Sequence, residues 1–439
     1  MIMSKEANKT RAAVRLRVAE RMQVVWKAEC MDDLLPTEHS ARTIWKVVCA
    51  LDLSAFEEPI KARQGEVGRD ATDRRILVAL WLQASVHGVG SARELARLCE
   101  EHRVYRWLCG GVTVNHHLLS DFRSGHGEAL DKLFSDVIAT LVKKGLVKVK
   151  RISQDGLRVR ASAGSASFRR GSTLKKLREE AAEQMKQLRA RLDDPQQGAG
   201  WSAKKKAARR RAARQRQRRI DEALALIPQL TERQKRSARR LSQKQQKEQQ
   251  REPRASTTDA QASRMKMGDG GYRPAVNVQL AADSESRAIV GVEVSSEGVD
   301  YEQSEPMRQQ VEARSGEKVQ EHLYDGGYVK TDMIERADGQ SVTIYAPPKP
   351  PKNKQQRGDE FVPRAGDSDA IIRWRQRMGS DEGKEIYKQR ASTSETINAQ
   401  MRRSGLTQLT VRGLHKARCV ALWSALAYNL TLFAGALLG

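Results

Sequence analysis

The chain has 439 residues, 39% of them hydrophobic, which is enough for two or three domains with real cores and too much for a wholly disordered protein. A formal net charge of +25 predicts attraction to a polyanion, nucleic acid being the usual one, because the charge is concentrated: Trp201 to Arg254 holds 19 Lys/Arg against 5 Asp/Glu. Cys30, Cys49, Cys99, Cys109 and Cys419 form no CxxC pair and no Cys/His cluster at zinc spacing, which argues against a disulfide scaffold and a zinc finger.

Residues 1–33 read as a charged, partly helical leader with Leu16, Met22, Val24, Val25 and Trp26 as its apolar anchors. Lys5 to Arg21 is too charged for a signal-peptide core, so a reducing, cytoplasmic setting is expected. Residues 34–146 read as helical. Arg75 to Leu82 is apolar nearly all round, as a buried helix is, and Ser91 with Glu94 three residues on has capping-box spacing for a second helix that Gly110-Gly111 ends. Asn115 can cap a short helix through Phe122, and Glu128 to Lys143 carries Leu130, Leu133, Phe134, Val137, Ile138 and Leu141 on one side. Short helices around glycine turns, with Arg93, Arg97, Arg103, Arg106 and Arg123 among them, fit a helix-turn-helix-type DNA-binding module or a plain helical bundle. His116-His117 is read as structural, since neighbours on a helix point about 100° apart.

At Val147 the period changes from about 3.6 to 2, giving a strand expected to end in Asp155-Gly156. The next strands come only near 274, where Val276, Val278 and Leu280 alternate with Asn277, Gln279 and Ala281, followed by a turn at Asp283 to Ser286 and a partner strand from Ile289 to Val294. A helix over Glu302–Arg314, a strand over Val319–Tyr324 ending in Asp325-Gly326, a helix near Thr331–Ala337 and a strand over Ser341–Ala346 complete the order. Between the first strand and the hairpin lies an insertion, residues 162–267. Leu174, Leu177, Ala181, Leu188 and Leu192 mark one helix and Ile220, Leu224, Ile227 and Leu230 a second, and Lys204 to Arg219 holds ten Lys/Arg and no acid. The insertion reads as a basic helical hairpin whose run, Lys204, Lys205, Lys206, Arg209, Arg210 and Arg211 foremost, serves as a phosphate-contacting arm rather than a solvated tail.

A proline-rich, charged loop beyond Pro347 leads to Tyr387–Arg402, where Ser392, Thr393 and Ser394 suit a helix N-cap and Glu395 and Arg402 stand seven residues, two turns, apart on one face. Cys419 to Leu438 is uncharged for 20 residues, the length of a membrane span, but Ser424, Tyr428, Asn429 and Thr431 suit a long buried helix closing an α/β domain, and no membrane is expected. Asp155 and Asp325 each close a strand where open α/β sheets put their ligands, and Glu395 follows on a helix. Three carboxylates in strand, strand, helix order suit a hard divalent cation, which takes oxygen ligands and shares them with water and phosphate.

With that order and those acids in hand, the chain resembles a DDE-type transposase of a bacterial insertion sequence, in the ribonuclease-H-like integrase superfamily. Asp155-Gly156 with Arg158, and Tyr324-Asp325-Gly326-Gly327-Tyr328, are similar to the family's first two acidic motifs. A Y-R-E-K-like motif maps onto Tyr387, Arg390, Glu395 and Arg402. It departs from the family in having four residues between Arg390 and Glu395 where three are usual, and Arg402 for Lys. The resemblance implies a ribonuclease H-like mixed five-stranded sheet (residues 147–161 and 268–439) with flanking helices, preceded by an all-α DNA-binding domain (residues 34–146). It also implies binding to the element's inverted-repeat ends, metal-dependent cutting, and joining of the freed 3′ hydroxyl to a target. Asp155, Asp325 and Glu395 would hold two Mg²⁺ or Mn²⁺ ions, with Tyr387, Arg390 and Arg402 positioning double-stranded DNA and a homodimer or larger assembly forming on it near the bacterial nucleoid. Two alternatives remain open: a nuclease of the same fold that hydrolyses without strand transfer, and a non-catalytic DNA-binding protein.

Overall fold

The computed structural model describes residues 20–24, 26, 28–62, 70–194, 201–238, 252–298, 300–351 and 359–438. Leu16 and Val25 of the leader lie outside them, and Met22, Val24 and Trp26 are exposed. Among the described residues seven α-helices precede the first strand: α1 (Ser40–Ala50), α2 (Ser54–Glu57), α3 (Arg74–Val86), α4 (Ala92–Glu101), α5 (Arg103–Cys109), α6 (His116–Gly125) and α7 (Gly127–Lys143). On α3 every residue from Ile76 to Ala84 is buried, as its all-round apolar sequence requires. The caps form: Ser91 Oγ accepts from Glu94 N at 3.3 Å and Asn115 Oδ1 from Leu118 N at 2.9 Å. The helix expected to reach Gly110 is instead two, because His102 is extended (φ −102°, ψ 127°) and caps α5 with its own ring nitrogen. The rings of His116 and His117 do not diverge but lie 4.1 Å apart at the start of α6.

Among the described residues the main sheet is mixed and has six strands, one more than expected. They are β1 (Arg151–Arg160), β4 (Ser263–Lys266), β5 (Tyr272–Asp283), β6 (Ile289–Ser295), β7 (Glu321–Leu323) and β8 (Thr343–Tyr345). β1 begins at Arg151, not Val147, since Gly145 and Val149 have φ of 71° and 48° and break the extended run before it. It also continues past Asp155 to Arg160, so that Asp155 is mid-strand. The long β5 is the spine: one edge runs antiparallel to β1, while the other pairs with β4 at residues 272–275 and with β6 at 277–282. β1 then pairs parallel with β7, and β7 parallel with β8. Helix α10 (Ser304–Ser315) lies between β6 and β7 in sequence and α11 (Thr331–Gly339) between β7 and β8.

One apolar core runs from Leu77 and Leu80 on α3 through Leu133 and Phe134 on α7 to Leu280, Val290 and Val292 of the sheet, so the early helices pack as one body with it. The last long helix, α15 (Leu414–Leu432), joins the two halves, with Trp423 Nε1 donating to Arg123 O at 3.1 Å and Asn429 exchanging hydrogen bonds of 2.9 and 2.7 Å with the backbone of Ile289. Among the described residues no helix is long and apolar enough to cross a membrane. A second core, Leu323, Tyr324, Tyr328, Ile334, Ile344, Trp374 and Met378, packs β7 and β8 against α11 and α12 (Asp369–Gly379).

After β1 the chain leaves the sheet. Two three-residue strands, β2 (Phe168–Arg170) and β3 (Arg254–Ser256), form an antiparallel ribbon from which α8 (Gly171–Asp193) runs out and α9 (Ala203–Ala238) returns. Leu174, Ala223 and Ala255 close a small apolar nucleus at its base. With a rise of about 1.5 Å per residue, α8 carries the tip roughly 30 Å from that base, and Lys204 to Arg211 lie at the tip end of α9.

Candidate active site

Parallel pairing of β1 with β7 sets Ser153 beside Leu323, so Asp155 and Asp325 each stand two residues further along. Asp155 is mostly enclosed, its side chain 19% exposed. Its Oδ1 accepts from Gly156 N at 2.8 Å, and its Oδ2 accepts from Asn398 Nδ2 at 3.0 Å and pairs with Arg390 Nη2 at 3.2 Å. Burial pushes its pKa above the ordinary carboxylate value; Arg390 and Gly156 N–H work against that, and the charges of Asp325 and Asp300 add to it. Asp325 lies in the turn after β7, with Oδ1 accepting from Gly327 N at 2.7 Å.

The third acid comes from the far end of the chain. Helix α13 (Asp381–Arg390) does not stop for a new N-cap at Ser392–Ser394; the backbone passes through a π-helical turn, Ala391–Glu395, into α14 (Thr396–Arg403). The hydroxyls serve elsewhere: Ser394 Oγ bonds Ser153 Oγ at 2.6 Å, pinning the turn to β1, and Ser392 Oγ donates to Gln389 O at 3.0 Å. A π turn brings residues i and i+5 to one side, and so absorbs the fourth residue between Arg390 and Glu395. Arg390 Nη1 thereby lies 3.9 Å from Glu395 Oε1 while Nη2 holds Asp155. Tyr387, one turn before Arg390, is half-buried against the second core; burial raises its pKa, Arg390 lowers it, and Asp325 and Asp155 raise it further. Arg402 is exposed on α14.

The structure therefore draws Asp155 and Asp325 into electrostatic reach of each other and links Glu395 to Asp155 through one guanidinium. Glu395 itself is 67% exposed, and among the described residues no three His, Cys, Asp or Glu side chains are gathered closely enough to hold an ion as they stand. The donor set nevertheless suits a hard divalent cation. Its oxygens are carboxylate, and one is desolvated among like charges, with Arg390 bridging Asp155 and Glu395.

Three contributors were not found from the sequence. Asn398, one turn past Glu395 and 7% exposed, holds Asp155. Asp300, just before α10, accepts at Oδ1 from Asn277 Nδ2 at 2.6 Å and Gln279 Nε2 at 2.7 Å. Tyr328 donates to Gln279 Oε1 at 2.6 Å from full burial. The signal for Asp300 was the pair of polar residues, Asn277 and Gln279, alternating with Val276, Val278 and Leu280 in the middle of a buried strand. Arg158 acts structurally, donating to Lys266 O at 2.5 Å and Gly298 O at 3.2 Å.

Behind Asp325, His322 on β7 is 1% exposed with its ring 5.0 Å from that of Tyr324. Burial pushes its pKa from 6.5 down to about 3. A depressed folded-state value means that the stability tied to neutral His322 is full above its unfolded pKa and is lost as pH falls from there toward the folded value. Urea melts should show about 2 kcal/mol lost to this group between about pH 7 and pH 5, and His322→Phe should remove that part of the slope.

On the arm, Lys204, Lys205, Arg209 and Arg211 are exposed and Lys206 half-buried. Arg209 and Lys205 stand over the Trp201 ring at 3.8 and 5.5 Å, and Arg210 is exposed beside them.

A family model described as a transposase domain (DUF772) matches residues 29–125, which span α1 to α6, and one described as a transposase DDE domain matches residues 349–433, which include Arg390, Glu395, Asn398 and Arg402. Asp155, Asp300 and Asp325 lie outside both. No curated protein and no solved structure was found to match the chain.

Proposed function

We propose that this chain, an insertion-sequence transposase of the DDE type by its two family domains, binds the inverted-repeat ends of its element and cuts and transfers DNA strands at Asp155, Asp325 and Glu395. The observation that carries the reading is the π turn, which puts Arg390 between the first and third acids although the spacing differs from the family's. The strand order β6-β5-β1-β7-β8, with the first acid on β1 and the second after β7, supports a ribonuclease H-like catalytic fold. Residues 34–146 would then be its helical, DNA-contacting portion.

Asp155, Asp325 and Glu395 would hold two Mg²⁺ or Mn²⁺ ions, which when bound activate the attacking oxygen and stabilise charge on the leaving one. The chain's own residues do the rest. Asn398 and Gly156 N–H fix the Asp155 carboxylate in one orientation, and Ser394 on Ser153 fixes the helix that carries Glu395. Arg390 releases Asp155 and Glu395 to turn toward a phosphate, where its fork of N–H donors suits the phosphodiester oxygens. The exposed cations of α9 hold the duplex by its backbone, independent of sequence. Several copies of the chain would assemble on paired ends, in the cytoplasm at the nucleoid.

The test is a gel assay on labelled repeat ends with and without Mg²⁺. Cutting that depends on the ion, followed by joining of the 3′ end to a second DNA, is the expected result. Cutting without joining would leave a nuclease, and binding without cutting would leave a DNA-binding protein.

A further inference from the structure

We propose that Asp300 is a fourth acidic member of this site, held behind Gly156 by Asn277 and Gln279 so that its charge helps to bind a divalent cation at Asp155 and Asp325. The inference rests on the reading of those two acids given above. Its basis is a cradle built around a missing side chain. A Cβ at residue 156 would lie 2.6 Å from Gln279 Nε2, 2.7 Å from Asn277 Oδ1 and 2.8 Å from Asp300 Oδ1. Three polar atoms from two elements thus converge on the residue next to Asp155, and only glycine leaves room for them.

The cradle is not explained by its own hydrogen bonds. Asn277 is 1% exposed, and its Oδ1, aimed into the space at Gly156, has no partner; Gln154, fully buried beside it, has an unpartnered Oε1 as well. Orphaned buried oxygens of this kind cost about 1–3 kcal/mol each and call for a donor or a cation. The rest of the network is rigid. Gln279 Oε1 accepts from Gln154 Nε2 at 2.8 Å and from Tyr328 at 2.6 Å, and Gln154 Nε2 also reaches Gln303 O at 3.2 Å, at the start of α10. Asp300 is therefore fixed to both β5 and the entry to α10, and its field acts on Asp155 and on Tyr328. The two amide N–H groups on Oδ1 carry no net charge, so they hold the carboxylate in place without pairing its charge. The cation that acts on Asp155 is Arg390. A divalent cation would complete it.

The experiment measures Mn²⁺ binding to the full chain without DNA by electron paramagnetic resonance, with a thermal melt of each ion-free variant. The unmodified protein should bind Mn²⁺, Asp155→Asn should lose it, and Asp300→Asn, which keeps both hydrogen bonds at Oδ1, should weaken it by about tenfold or more while melting as a folded protein. Gly156→Ala keeps every acid but fills the cradle, and should weaken binding to a similar degree. If Asp155→Asn loses Mn²⁺ and Asp300→Asn binds it like the unmodified protein, the inference about Asp300 is overturned and the site reading stands. If Asp155→Asn also binds normally, or the unmodified protein binds no Mn²⁺, both fall. Should Asp300→Asn not fold, Gly156→Ala decides alone, and unchanged affinity there overturns the proposal.

Discussion

Glu395→Gln should reduce ion-dependent strand cutting by more than about 100-fold, beyond the 10- to 100-fold that follows from losing a residue which only supports a ligand. The substitution keeps volume and hydrogen-bonding capacity and removes the charge, so the partner at 3.9 Å, Arg390 Nη1, loses its ion pair but not its neighbour. Glu395 is 67% exposed, and a side chain so placed contributes little to stability. The variant should therefore melt like the unmodified protein and still shift repeat-end DNA in a gel. Asp283, at the end of β5, is a poor control because it is 2% exposed and its Oδ2 accepts from Ser286 N and Oγ at 2.8 and 2.6 Å. Glu385, exposed on α13 and paired with Lys388, is the better one, and Glu385→Gln should cut normally.

The second large effect is expected at the arm. Replacing Lys204, Lys205, Lys206, Arg209, Arg210 and Arg211 by Gln should weaken binding to all duplex sequences alike, and should flatten the dependence of log affinity on log salt by roughly one unit for each phosphate that is no longer neutralised. These residues lie at the tip end of α9, far from the apolar nucleus of Leu174, Ala223 and Ala255 at the base, so the arm should keep its helices. Titration of labelled DNA at several salt concentrations measures the slope. An unchanged slope would make the run a solvated face.

The hairpin of β5 and β6 was legible because Val276, Val278 and Leu280 alternate cleanly, and the caps at Ser91 and Asn115 because a side-chain oxygen three residues before an N–H is local geometry. The long C-terminal helix could be read as buried from its few hydroxyl and amide groups, of which Ser424 and Thr431 bond their own helix and Asn429 the backbone of Ile289. What escaped was either short or made by distant contacts. β2 and β3 have three residues each and β4 four, too few to show a period. The start of β1 was misplaced because Val147 and Val149 are buried in non-strand backbone. The run Ser392-Thr393-Ser394 resembles a cap in composition, yet it lies inside a helix whose extra residue is taken up by a π turn. The unusual spacing from Arg390 to Glu395 was its only local trace. Asp300 has no motif of its own, and its place is set by Asn277 and Gln279 across the sheet.

The most direct test of the central claim, that Asp155 holds a cation for strand cutting, is a change of ligand softness. Asp155→Cys should leave repeat ends uncut in Mg²⁺, which thiolate binds poorly, and should recover cutting in Mn²⁺, which accepts sulfur more readily. Cutting by the Cys variant in Mg²⁺ at the unmodified rate would contradict the account, and so would a failure of Mn²⁺ to restore it in a protein that still folds and binds DNA.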